Sequence, residues 1–172
     1  MHILTRCTRQ HNLRTIKKSV FPSPINVIWH IIFDTTTLKD IDAELLNELH
    51  VTTLLKHRGS NMISGPEQGR FLSWNSQLIK PKRILELGTF TGYSALCLAE
   101  GLQPEGCLIT IERDETVLNT ARDFFNRSVY ADRIISLSGN IQDHLIQQQG
   151  PFDLIFMDAD KKTYRAYAEA LI

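Results

Sequence analysis

Cysteine is scarce in this chain: Cys7, Cys97 and Cys107 are the only three in 172 residues. An odd, scattered set builds neither a disulfide framework nor a zinc pair, so a reducing compartment is expected. Charge of one sign is missing as well. Nineteen Lys and Arg balance nineteen Asp and Glu, which removes the electrostatic basis for a general nucleic-acid binder. No apolar run is long enough to span a bilayer. The best candidate, Val20 to Phe33, is too short and is interrupted by Pro22, Pro24, Asn26 and His30. It also lacks the small-residue cleavage site of a secretory signal. Internal repeats and low-complexity tracts are absent, apart from the short polar stop Gln147-Gln148-Gln149-Gly150.

What is present is ordinary globular composition, with 42% hydrophobic and 22% charged residues. The length suits one domain that buries roughly 70% of its unfolded surface. The first acidic residue is Asp34, whereas Arg6, Arg9, Arg14, Lys17 and Lys18 precede it. An acid-poor, basic start reads either as a mitochondrial transit segment or as a solvated basic tail. A cytoplasmic protein is the expectation, with a mitochondrial one as the alternative. Residues 1–39 are therefore set apart from a domain over 40–172.

From Asp40 the pattern becomes regular. Ile41, Leu45 and Leu49, with Leu46 beside them, predict an amphipathic helix to about Lys56. Ser64-Gly65-Pro66 predicts a second helix start, with Phe71, Leu72 and Trp74 on its inner side. After Pro81, short apolar strands alternate with helices. Arg83–Leu87, Leu108–Ile111, Arg133–Leu137 and Phe152–Met157 read as strands. Tyr93–Glu100 reads as a helix, and the next is capped by Asp114 and lined by Val117, Ala121 and Phe124. A short helix carries Ile141, Leu145 and Ile146. A last one carries Tyr164, Tyr167 and Leu171. This alternation predicts an α/β fold with a parallel sheet covered on both faces. Ligands of such sheets sit beyond the carboxyl ends of the strands.

The residues at those ends have specific chemistry. In Glu86-Leu87-Gly88-Thr89-Phe90-Thr91-Gly92, two glycines permit a tight turn and close backbone approach to a ligand. Phe90 stands where the dinucleotide fingerprint needs its second glycine, which disfavours NAD. The acidic Glu86 repels phosphates but suits an ammonium group. Glu112, at the end of the next strand, lies near the roughly 20-residue spacing at which a carboxylate accepts ribose hydroxyls. An amine at one end and a ribose at the other describe S-adenosylmethionine. Asp158-Ala159-Asp160-Lys161 offers two carboxylates for a hard cation such as Mg²⁺ and a lysine for a proton.

Together these segments resemble the cation-dependent, S-adenosylmethionine-dependent O-methyltransferases of the catechol and caffeoyl-coenzyme A type. The resemblance runs from about Leu45 to Ile172. It is carried by Met62-Ile63-Ser64-Gly65-Pro66-Glu67-Gln68-Gly69, by the glycine segment through Tyr93-Ser94, and by Phe152 to Lys161. It implies a Rossmann-like sheet of the class I methyltransferase type with strand order 3-2-1-4-5-7-6, of which about four strands fall within this chain. It further implies that Ser64, Glu86, Gly88, Thr89, Ser94, Glu112, Ile141 and Asp160 bind the cofactor. Asp158 would be a metal ligand that also faces the substrate. Lys161 would be the general base and Tyr167 a substrate contact. The acceptor would be a small aromatic vicinal diol, and members of the family form homodimers.

One departure bears on activity. The family completes its metal site with an Asp-Asn pair after a fifth strand, and this chain stops at Ile172. Strand four is then expected at a sheet edge. Two readings remain: an O-methyltransferase, or a truncated fragment or pseudoenzyme that at most binds S-adenosylmethionine.

Overall fold

The computed structural model describes residues 43–147 and 150–171. Expectations for the basic start, for Val20 to Phe33 and for Ile41 lie outside the described residues. Residues 41–172 form one compact unit.

Helix α1, Ala43–Lys56, buries Leu45, Leu49 and Thr53, one residue per turn, as the four-residue spacing predicts. Its C-terminal Lys56 suits the negative end of the helix dipole. After a 3₁₀ turn at Ser60–Met62, α2 runs from Gly65–Ile79 with Pro66 in its first turn. Lys80 closes it in a left-handed conformation, φ 51°, and donates its N–H to the Ser76 carbonyl.

The inner face of α2 corrects the expectation. Leu72 is buried, but Phe71 and Trp74 are 64% and 49% exposed. The buried residues are Gly69, Leu72, Ser73 and Ser76. The reason is close contact with the next helix: a side chain at Gly69 would meet the Tyr93 ring at 2.6 Å and the Cys97 sulfur at 2.8 Å. Only small residues fit there, and the aromatics are turned away.

The sheet follows the predicted strands closely. β1 is Arg83–Leu87, β2 Cys107–Glu112, β3 Ile134–Ser138 and β4 Leu154–Met157. All pairs are parallel, in the order β3-β2-β1-β4. β4 is thus the outer strand of the described sheet, and its Ile155 is exposed. The intervening helices are α3 Tyr93–Ala99, α4 Glu115–Arg127 and α5 Ile141–Leu145; α6, Tyr164–Leu171, follows β4. The Asp114 side chain caps α4 by accepting from the Thr116 N–H at 2.8 Å. Asn140 caps α5 the same way through Gln142. Ile146, expected on this helix, lies just past its last turn, because α5 ends at Leu145, and is 83% exposed.

Strand periodicity sorts the core into two layers. Ile84 and Leu108 pack on one face with Leu49, Leu96, Leu118 and Phe125. Leu85, Leu87, Ile109 and Ile111 pack on the other with Ile141, Leu145 and Tyr167. Glu86 and Thr110 alternate with Leu85, Leu87, Ile109 and Ile111, so these two polar groups point into the first layer.

The register brings the strand ends together. Leu87 pairs with Ile111 and with Met157, and Glu112 with Ser138. The Gly88 N–H donates to the Ile111 carbonyl at 3.0 Å, and the Asp158 N–H to the Leu87 carbonyl at 2.9 Å. Gly88 has φ 99°, and a Cβ there would lie 2.5 Å from the Asp158 carbonyl oxygen. Both the backbone angle and the space exclude a side chain. Gly88→Ala is expected to lower unfolding stability by about 1–3 kcal/mol, measured by urea denaturation, whereas an exposed α2 change such as Phe71→Ala shifts it far less.

Candidate active site

The loop after β1 is built from residues in unusual conformations. Gly88, Phe90 and Gly92 have φ of 99°, 50° and 91°. Phe90 is not glycine, so its left-handed backbone needs support. It receives it from Glu112, whose Oε2 accepts the Phe90 N–H at 2.9 Å. The same carboxylate accepts the N–H groups of Arg113 at 2.9 Å and Asp114 at 3.0 Å through Oε1. Three backbone donors thus fix one carboxylate at the end of β2. Its one remaining lone-pair site, on Oε2, is available to a hydroxyl group of a ligand.

Helix α1 braces the loop from outside. The Thr53 hydroxyl donates to the Leu49 carbonyl, and its Oγ1 lies 2.8 Å from that of Thr91. The His57 ring meets Phe90 edge-on, and its Nε2 lies 2.9 Å from the Thr120 hydroxyl.

Beneath the loop, Glu86 is fully buried. Its Oε1 accepts from the Ser94 hydroxyl and its Oε2 from the Thr110 hydroxyl, both at 2.6 Å. Thr110 is hydrogen-bonded in turn to Thr89. Burial pushes the Glu86 carboxyl up to about 7, the hydroxyl hydrogen bonds oppose that rise, and the nearby Asp158 and Glu112 add to it.

Above the strand ends lies an open cleft of about 920 Å³, ample for a small-molecule ligand. Ser64, Gly88, Thr89, Ser94, Glu112 and Ile141 all line it, together with Asp158, Asp160, Lys161 and Tyr167. Residues far apart in sequence therefore meet on one surface. Glu86 is the exception among the predicted set: it lies behind the wall, one hydrogen bond away through Ser94. Ser64 occupies the N-cap position of α2 without a capping hydrogen bond from its side chain. Asp160 caps the 3₁₀ turn Lys161–Thr163 by accepting the Lys162 N–H at 3.1 Å.

The cleft also includes Arg58, Asn61, Met62, Gln68, Arg113 and Asn140, which sequence reasoning did not assign a role. Asn140 had a signal, since it lies two residues beyond the end of a strand. Arg58 and Asn61 read only as a turn, and nothing in their pattern places that turn over the cleft.

The donor set was tested against a divalent cation, which prefers hard oxygen ligands. Asp158 and Asp160 reach the cleft, but among the described residues no group of three or more His, Cys, Asp or Glu could hold a metal. Asp160 also has Oδ1 engaged in its cap. The described residues by themselves do not make a metal centre.

A family model described as O-methyltransferase matches residues 35–172. A catechol O-methyltransferase of Niastella koreensis is 40% identical over 124 residues, covering 69% of this chain and 56% of that protein. A caffeoyl-CoA O-methyltransferase of Populus kitakamiensis is 34% identical over 135 residues, covering 75% of this chain and 57% of that protein. The chain thus spans about half the length of the curated relatives it matches. Among solved structures, an O-methyltransferase from Bacillus cereus in complex with SAH (S-adenosylhomocysteine) superposes with a TM-score of 0.67 at 32% identity, over 84% of this chain and 66% of that one. An SAH-bound methyltransferase from Podospora anserina gives 0.70 at 28% identity, over 89% and 66%. Since the family match covers most of the chain and the fold agrees with cofactor-bound members, this chain belongs to the O-methyltransferase family.

Proposed function

We propose that the cleft binds S-adenosylmethionine and that the chain takes part in methylating one hydroxyl of a small aromatic vicinal diol. The observation that carries the reading is the meeting of Ser64, Ser94, Glu112, Ile141, Asp158 and Lys161 on one cleft. The residues suit the cofactor. Glu112, fixed by three N–H groups, would accept a ribose hydroxyl at its remaining site. Ile141 would offer an apolar wall to the adenine. Ser64, Gly88, Thr89 and Asp160 would surround the amino-acid end, and Ser94 would face its ammonium with Glu86 behind. When bound, the cofactor supplies a methyl group on a positively charged sulfur.

Asp158 and Lys161 would act on the acceptor. Two adjacent hydroxyls can meet two adjacent groups: one hydrogen-bonds to Asp158, and the other gives its proton to Lys161 Nζ. Removing that proton makes the oxygen a better nucleophile. Tyr167, buried with one side on the cleft, would bound the acceptor's ring. Holding the reacting oxygen in place would supply much of the rate.

The test is calorimetric titration of the full chain with S-adenosylhomocysteine, followed by methyl transfer from labelled S-adenosylmethionine to catechol and caffeoyl-CoA, with and without Mg²⁺. Saturable binding and diol-dependent transfer support the proposal. Binding without transfer under any condition would favour the non-catalytic reading, and no binding would overturn both. Glu112→Gln is expected to weaken S-adenosylhomocysteine binding about tenfold or more, the scale of a lost charged hydrogen bond. Lys161→Ala, at an exposed position, is expected to leave that affinity intact while lowering transfer by about 10²–10⁴-fold.

A further inference from the structure

The two glutamates of the site are held by opposite kinds of donor. Glu112 accepts from three backbone N–H groups, which can only donate. Glu86 is held by the hydroxyls of Ser94 and Thr110. A hydroxyl can donate or accept. If Glu86 carries a proton, one hydroxyl turns around to accept it while the other still donates; Thr110 can do so because its bond with Thr89 runs in either direction.

The charges nearby point the same way. From β2, Glu86 faces Thr110 and Glu112. From α3 it faces Ser94 and the buried thiol of Cys97, and from β4 it faces Asp158. The charged neighbours that act on it are both acidic. A fully buried carboxylate without a counter-charge is costly as an anion. A cation in the cleft can approach through Ser94, which hydrogen-bonds to Glu86 and also lines the cleft.

We propose that Glu86 is a proton-coupled binding residue, protonated when the cleft holds no cationic ligand and deprotonated when the ammonium of the cofactor arrives beside Ser94. This rests on the cofactor reading above. The proton passes to solvent, the ammonium takes over as the neutralising charge, and no covalent bond to the ligand forms or breaks. Cofactor affinity is thereby set by pH in the neutral range. A carboxyl that keeps its proton up to about pH 7 supplies that range.

The full chain is titrated with S-adenosylhomocysteine at pH 6 and pH 8, each in phosphate and in an amine buffer of high ionisation enthalpy. Buffer-dependent heats should show release of nearly one proton per ligand at pH 6 and close to none at pH 8. Affinity should be about tenfold weaker at pH 6. The probe 5′-methylthioadenosine keeps the nucleoside but lacks the ammonium, and should bind without proton release. Glu86→Gln should bind S-adenosylhomocysteine with no proton release and a flat pH profile. S-adenosylhomocysteine binding with pH-independent affinity and no proton release in the unaltered chain would overturn the proposal and leave the cofactor site standing. Equal proton release with 5′-methylthioadenosine would place the titrating group elsewhere, which also overturns it. Absence of binding at either pH would instead overturn the cofactor reading itself.

Denaturation gives a ligand-free check. Because the folded carboxyl titrates above its unfolded value of 4.5, its stabilising contribution is complete below pH 4.5 and is lost as pH rises through about 7. The stability difference between the unaltered chain and Glu86→Gln should fall across that window. A constant difference would show that Glu86 is ionised throughout, against the proposal.

Discussion

Asp158 can lie beside the glycine loop because position 88 carries no side chain. Any Cβ at Gly88 would strike the Asp158 carbonyl, and the strand ends would separate. With glycine there, β1 donates to β2 through the Gly88 N–H and accepts from β4 at Leu87. Three strands then finish at one level, and their following residues share a single rim. The cleft depends on this contact: Glu112 comes from β2, Thr89 from the β1–α3 connection, Ser94 from the first turn of α3, and Asp158 with Lys161 from the segment that follows β4.

The same residue type does different work on this rim according to what donates to it. Backbone amides around Glu112 fix a carboxylate and at the same time hold Phe90 in its left-handed conformation. One group would thus join the shape of the loop to the ligand recognition we propose for it. Hydroxyls around Glu86 permit two protonation states in a fully buried position. Acidic residues alone do not distinguish these roles; the chemistry of their donors does.

Outside the sheet, small and polar residues set the distances. Gly69 and Ser76 let α2 approach α3, where Ser76 donates to the Leu98 carbonyl. Thr53 carries α1 onto Thr91, and His57 adds an edge contact to Phe90. The glycine loop is therefore clasped from above by α1 and from the side by β2. Apolar residues that the close helix contact excludes, Phe71 and Trp74, turn outward instead.

Much of the architecture was legible in local pattern. Apolar strands alternating with capped helices specified parallel βαβ units, and Gly88, Glu112 and Asp158 fell at strand ends because each interrupts an apolar run. Asp114 announced its helix start by residue type and position. The identity of the ligand class also came from the sequence, since Phe90 in place of a glycine argued against a dinucleotide. Other features depended on distances between elements that no local pattern encodes. Which face of α2 is buried was decided by how near α3 comes, and Ile146 lost its place when α5 ended one residue earlier. The sequence put an acid at position 86, but only the tertiary structure surrounded it, among the described residues, with two hydroxyls and acidic rather than basic charged neighbours, which raises its hold on a proton. The sequence by itself determined which groups are present and the order in which the strands deliver them. Their burial, partners and meeting on one cleft were decided by packing, because desolvation and hydrogen bonding are properties of neighbours distant in the chain.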